Sequence, residues 1–179
     1  MDDQQPVAYA AYVIDAASRG LLLQKFPPKY PDVVAHHVTH KYPAMPADVP
    51  RPPLHVRVTG YHNCGAIEVL VVMVDGRRQQ VLREDETPRW YHITLSLDRA
   101  KGVEPKNSND VLAAIVAKRG EVALDNLAAP FAISVMPQLL EEGQREGAAR
   151  LNRWRYLSMI WRKVLALSRT LSREGGRGD

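Results

Sequence analysis

The sequence contains one cysteine and no apolar stretch long enough to cross a bilayer. Cys64 alone cannot form an intrachain disulfide, which is typical of a protein from a reducing compartment. The longest strongly apolar run, from Val69 to Val74, is far shorter than the roughly 20 residues of a membrane-spanning helix. The first residues are acidic and polar rather than signal-like. We therefore expect a cytoplasmic protein with no membrane partner.

Acidic residues are absent from one long segment, 150–173, which carries seven basic ones. The whole chain has 24 basic and 20 acidic residues, so subtracting these seven leaves 17 basic against 20 acidic residues elsewhere. The positive charge is therefore local. It does not indicate that the whole chain binds nucleic acid.

At 179 residues, the chain is long enough for one domain with an appendage, and no solenoid-length repeat is present. We predict an α+β domain over residues 1–140 and a long basic amphipathic helix with a flexible end over 141–179. The domain is expected to hold a curved, mainly antiparallel sheet with helices on its outer face. The predicted helices are 7–25, 108–118 and 138–173, and the predicted strands are 33–42, 54–62, 66–74, 77–82, 90–97 and 132–136.

Two of the predicted strands carry the same His-x-Thr pattern. Residues 91–97 alternate strictly, which places His92, Thr94 and Ser96 on one face. The earlier strand places His37 and Thr39 on one face in the same way. Two imidazoles facing a groove suit phosphodiester chemistry, because a neutral histidine can accept a proton while a protonated one donates.

The threonine two positions after each histidine supplies a hydroxyl that can bind phosphate oxygens. This chemistry needs no metal or other cofactor. Histidine and threonine are also ordinary residues on a solvated strand face. Spacing alone therefore leaves the catalytic and the structural interpretations about equally supported.

The segments His37-Val38-Thr39 and His92-Ile93-Thr94-Leu95 resemble the paired motifs of the two-histidine (2H) phosphoesterase superfamily. The similarity extends to Tyr91 and to residues 106–109, covering roughly 33–112. It is strongest to the branch with phage anti-CBASS cyclic oligonucleotide nucleases and RNA-repair cyclic phosphodiesterases. The resemblance implies a bilobal α+β fold and a metal-independent phosphodiesterase, in the host cytoplasm if the protein is of phage origin. His40 departs from the pattern, since an apolar residue commonly follows the first threonine.

His40 opens a rival interpretation, in which it joins His36, His37 and either His55 or His62 in a metal site. Neighbouring strand residues point to opposite faces, so we expect His36 and His37 to diverge and no metal to bind. Three aromatic residues are candidates for binding the substrate by stacking: Tyr12, Tyr42 and Trp90. Ser96 is a further substrate-binding candidate, and core packing is equally consistent with Tyr12. Ser108 and Asn109 are expected to cap a helix rather than bind a ligand.

The expected substrate is a cyclic oligonucleotide, because the body of the chain lacks the basic track that a long RNA requires. The alternatives are an RNA end with a 2′,3′-cyclic phosphate and a binding module that sequesters a nucleotide without cleaving it. The basic C-terminal helix could pair with a second subunit, contact RNA or lie on a membrane. Trp154 and Trp161 share a stripe of this helix, which favours a homo-oligomer.

Overall fold

The computed structural model describes residues 8–80 and 87–141. Its strands are β1 (Ala8–Ile14), β2 (Asp32–Val33), β3 (His37–Lys41), β4 (Val56–Asn63), β5 (Ile67–Val74), β6 (His92–Leu97), β7 (Phe131–Ala132) and β8 (Val135–Glu141). Its helices are α1 (Ala16–Lys25) and α2 (Asn107–Arg119), with short 3-10 turns at Pro46–Asp48, Arg99–Lys101 and Glu121–Leu124. No helix in this described part has the length and apolar character to cross a bilayer.

The strands form two antiparallel sheets. One has five strands in the order β2-β6-β5-β4-β7, and the other has three in the order β3-β1-β8. The predicted α+β class with antiparallel pairing is confirmed. The expectation that the helices share one face is wrong, because Leu22 of α1 and Leu112 of α2 pack into different cores.

These two cores cover opposite faces of β5. The main core contains Leu70 and Val72 of β5 together with Leu22, whereas the second core contains Val69 and Val71 together with Leu112. A strand buried on both faces needs apolar residues at every position, which explains the unbroken run from Val69 to Val74. The predicted hairpin turn after it is confirmed, since Asp75 and Gly76 have φ of 47° and 78°.

The predicted N-terminal helix over 7–25 is wrong in its first half, where the chain forms β1. This strand lies between β3 and β8 and is apolar on both faces, so it has no alternation that would mark it as a strand. The helix begins only after Asp15, whose side chain accepts a hydrogen bond from the Ser18 N–H at 2.7 Å. A side-chain acceptor at this position is a typical helix start.

The end of the described chain also differs from the prediction. The strand predicted over 132–136 is divided between β7 in the larger sheet and β8 in the smaller one. Residues 138–141 belong to β8, so no helix begins at Gln138, and the rest of the predicted C-terminal helix lies outside the described residues. The returning strand predicted over 77–82 is reduced, within its described part, to single bridges at Arg77 and Gln79.

The single strand predicted over 33–42 is broken into β2 and β3, and this break joins the two sheets. β2 pairs with β6 in the larger sheet, whereas β3 pairs with β1 in the smaller one. Between them, Ala35 adopts a left-handed conformation with φ of 42°. The chain therefore leaves one sheet and enters the other beside β6, which places the two His-x-Thr strands next to each other.

Candidate active site

The two motifs face the same side of the joined sheets. Val38 of β3 and Ile93 of β6 are both fully buried in the main core. Because side chains alternate along a strand, the residues on either side of them point away from that core. The four predicted catalytic residues, His37, Thr39, His92 and Thr94, therefore lie on one side of the molecule.

The break between β2 and β3 keeps the first motif beside the second. Asp32 lies across from Leu97 and Val33 from Ser96 in the β2–β6 ladder. Next along the chain, the Val34 N–H donates to the Leu95 carbonyl and the Ala35 N–H to the Thr94 carbonyl, each at 2.9 Å. After Ala35 the chain enters β3, which pairs with β1 and remains in contact with β6. The two predicted histidines, 55 positions apart in sequence, therefore lie on neighbouring strands.

His92 is held in one orientation by the backbone. Its Nδ1 lies 2.8 Å from the Trp90 carbonyl oxygen, which can only accept a hydrogen bond, so Nδ1 carries the proton. The Nε2 atom is then the one left to exchange a proton with a ligand. His92 is only 7% exposed, which keeps this geometry fixed.

Thr94 is positioned by the first turn of α2. Its hydroxyl lies 2.8 Å from the Ser108 hydroxyl and 3.4 Å from the Pro105 carbonyl oxygen. Ser108 was expected to cap this helix, but the helix begins without a side-chain cap, and Ser108 is buried against β6. The Pro105 carbonyl can only accept, so the Thr94 hydroxyl donates to it over this long contact and Ser108 donates to Thr94. A ligand oxygen would take the Thr94 proton from that carbonyl.

Burial keeps both site histidines neutral. Desolvation, together with the nearby His36 and His92 rings, lowers the pKa of His37 to about 3. Desolvation also lowers the pKa of His92, against the opposing effect of its bond to the Trp90 carbonyl. His92 is one of the groups that lower the pKa of His37, which agrees with their positions on neighbouring strands. An anion placed between the two rings would raise both pKa values, because it stabilises the charged imidazolium.

We expect the free energy of unfolding to decrease as the pH is lowered, because His37 becomes protonated in the unfolded chain. Folding lowers the pKa of this histidine, so the unfolded chain binds the proton first as pH drops below about 6.5. The loss continues until the folded-state pKa of about 3 and amounts to about 2 kcal/mol at pH 5. His37→Gln should therefore reduce the difference in unfolding free energy between pH 7 and pH 5 by about this amount.

Chemical denaturation at the two pH values measures this difference. His55→Gln, at an exposed histidine, is the matched control and should leave it unchanged. An unaltered pH dependence in His37→Gln would show that His37 is not desolvated in the folded protein.

Ser96 is not part of the site, which corrects the prediction from strict alternation. Glu68 pairs with Ser96 and the next residue, Val69, pairs with Thr94, so Leu95 is an extra residue that forms a bulge in β6. The bulge reverses the faces of the following residues. The buried Ser96 hydroxyl donates to the Glu68 carboxylate, which also accepts from the Tyr61 hydroxyl on the main-core side.

The three aromatic candidates lie in different surroundings. Tyr12 is on β1 and packs in the main core, and Trp90 packs in the second core with its indole N–H donating to Glu121 at 2.5 Å. Both are nearly fully buried, so neither forms an open wall for stacking a base. Tyr42 follows β3 and is 40% exposed, and its role in substrate binding remains a prediction.

Two residues near His37 were missed by the sequence analysis. The Tyr9 ring on β1 lies 5.1 Å from the His37 ring, measured between centroids, and the His36 ring lies 5.4 Å from it. The expectation that His36 points away from His37 is wrong, because His36 precedes β3 and follows the left-handed Ala35. Assigning 7–25 to a helix hid the position of Tyr9.

The remaining histidines are dispersed. The Nδ1 atom of His40 lies 2.9 Å from the Tyr91 hydroxyl on the main-core side of β3, and the Nε2 atom of His62 lies 3.0 Å from the Leu124 carbonyl. Within residues 8–80 and 87–141, no group of three or more histidine, cysteine or acidic side chains is arranged to hold a metal ion. The rival metal site therefore has no support in this part of the chain.

Comparisons with protein-family models, with curated proteins and with solved structures find no match to this chain.

Proposed function

We propose that the protein is a phosphodiesterase of the two-histidine type, in which His37 and His92 transfer protons without a metal ion. The observation that supports this most is the facing of two separate His-x-Thr strands on one side of the joined sheets. A chance pair of motifs would not be expected to share a face on neighbouring strands. A strictly structural pair would not need both imidazoles.

The proposed reaction uses the Nε2 atom of each ring. One neutral histidine accepts a proton from the attacking water, and the other, protonated once the phosphate is bound, donates to the leaving oxygen. Positioned proton transfers of this kind are each worth about 10²–10⁴-fold in rate. Which ring has which role depends on the direction in which the substrate lies along the strands.

The threonine hydroxyls are proposed to hold the phosphate. Thr39 and Thr94 each stand two residues after a histidine on the same face of its strand. Their hydroxyls donate to non-bridging oxygens, whose charge increases as the fifth bond to phosphorus forms. The contact with Ser108 fixes the Thr94 hydroxyl before the substrate arrives.

The proposed substrate is a cyclic oligonucleotide. Outside 150–173 the chain has 17 basic and 20 acidic residues, which gives no excess of positive charge for tracking a long RNA. A small cyclic ligand needs only a few donors and one or two stacking surfaces. The half-buried Tyr9 ring beside His37 and the exposed Tyr42 ring after β3 are the candidates for stacking.

A substrate panel on chelator-treated protein tests the proposal. The panel contains cyclic dinucleotides, cyclic trinucleotides and RNA ending in a 2′,3′-cyclic phosphate. We expect turnover of a cyclic oligonucleotide that is undiminished by the chelator. Faster turnover of the RNA end would reassign the substrate, loss of activity on chelation would overturn the mechanism, and tight binding without turnover would identify a sequestering module.

A further inference from the structure

The segment between β2 and β3 is held in an unusual conformation. Ala35 is fully buried and has φ of 42°, in the left-handed region that residues with a Cβ rarely adopt. Three contacts hold this turn. The Ala35 N–H donates to Thr94, the Ala35 carbonyl accepts from Arg19 Nε at 3.1 Å, and the His36 carbonyl accepts from the Ile14 N–H at 2.9 Å.

The consequence of this turn is that two consecutive imidazoles meet. On a regular strand, His36 and His37 would point to opposite faces. Here their Nδ1 atoms are 3.1 Å apart and their rings are nearly perpendicular, with an angle of 79° between the planes. Two ring nitrogens at this distance form a hydrogen bond when one of them carries a proton and the other does not.

We propose that His36 is the positioning residue of His37. By engaging Nδ1 of His37, it orients the ring and leaves Nε2 as the nitrogen that faces the substrate. The Trp90 carbonyl accepts a hydrogen bond from Nδ1 of His92, so each site histidine has a partner on Nδ1. This inference rests on the proposed function for its catalytic meaning, but the imidazole contact exists whether or not the protein is an enzyme.

Nitrogen-15 NMR of the histidine rings in the full-length protein tests the contact without relying on activity. In the wild-type protein at neutral pH, we expect the His37 Nδ1 resonance to carry the shift of a hydrogen-bonded ring nitrogen. In His36→Ala, this resonance should lose that shift, while the His92 signals stay unchanged. His36→Asn places an amide close to the position of the lost Nδ1 and should restore the shift of a hydrogen-bonded nitrogen.

A kinetic measurement on the best substrate of the panel adds the catalytic readout. We expect His36→Ala to lower kcat by about 10–100-fold, by analogy with the loss of activity when the orienting partner of a metal-bound histidine is removed. KM should change little, and His36→Asn should recover most of kcat. His55→Ala, at an exposed histidine, is the control for histidine removal and should change neither quantity.

The two readouts separate the possible failures. An identical His37 Nδ1 shift in the wild-type protein and His36→Ala would overturn the positioning role. An altered shift in a protein that hydrolyses no phosphodiester would leave the contact established and overturn the proposed function instead. If His36→Ala does not fold, His36→Leu, which fills the space without a hydrogen-bonding atom, replaces it, and a His37 Nδ1 shift equal to wild type in that variant would overturn the positioning role.

Discussion

We expect the substitution His92→Gln to lower kcat/KM for the proposed hydrolysis of a cyclic oligonucleotide by about 10²–10⁴-fold, the typical contribution of one positioned proton transfer. Glutamine retains much of the volume and a polar end group, but it cannot exchange a proton at neutral pH. Because His92 is buried with its Nδ1 bonded to the Trp90 carbonyl, no water-exposed group can take over its position. Steady-state kinetics on the chelator-treated variant measures the loss.

The matched control for this change is His62→Gln. His62 lies on β4, and its Nε2 atom contacts the Leu124 carbonyl rather than the candidate site. We expect activity within about twofold of wild type, because a proton transfer is not removed. Activity retained in His92→Gln, or an equal loss in both variants, would show that His92 has no special role in the reaction.

Gly60→Ala is the substitution expected to disturb the fold most. A Cβ at Gly60 on β4 would lie 1.8 Å from the Leu124 carbonyl oxygen and 3.2 Å from the Val71 Cβ. Neither is the movable end of a flexible side chain, so the backbone of Glu121–Leu124 must shift. Overpacking of this kind costs roughly 1–3 kcal/mol, and occasionally more. Chemical denaturation should show at least this decrease in the free energy of unfolding.

Gly20→Ala is the opposite case and serves as the control. Gly20 lies within α1, and a Cβ there would meet no atom within 4 Å. Alanine is favoured over glycine in a helix interior by roughly 0.5–1 kcal/mol, so this variant should be more stable than wild type. A Gly60→Ala protein as stable as wild type would show that the turn after α2 does not pack on β4 as described.

The sequence predicted the histidine pair because the pattern on β6 is local and strong. Alternation alone fixed the faces of His92 and Thr94, and the core positions of Tyr91 and Ile93 agree with it. The same rule failed two residues later at Ser96. A bulge depends on how a strand pairs with its neighbour, and neither Leu95 nor Ser96 is a glycine that would have marked one.

The first motif was harder to place because its strand is not continuous. The change from β2 to β3 depends on contacts from the Ile14 and Thr94 backbone and from the Arg19 side chain, which are distant in sequence. Alanine gives no signal for a left-handed conformation, so nothing local indicated that His36 would turn toward His37. The misassigned helix at the N-terminus has a similar cause, since a short apolar run fits a buried strand and a helix equally well.

The proposed role of the two imidazoles as one catalytic unit is tested most directly by a double-mutant cycle. It compares kcat/KM, after chelation, for the wild-type protein, His37→Gln, His92→Gln and the variant carrying both substitutions. Residues that act as a unit lose most of the activity on the first substitution, so the double variant should be about as active as the worse single variant. Losses that multiply in the double variant, or single variants that retain wild-type activity, would contradict a shared acid–base pair.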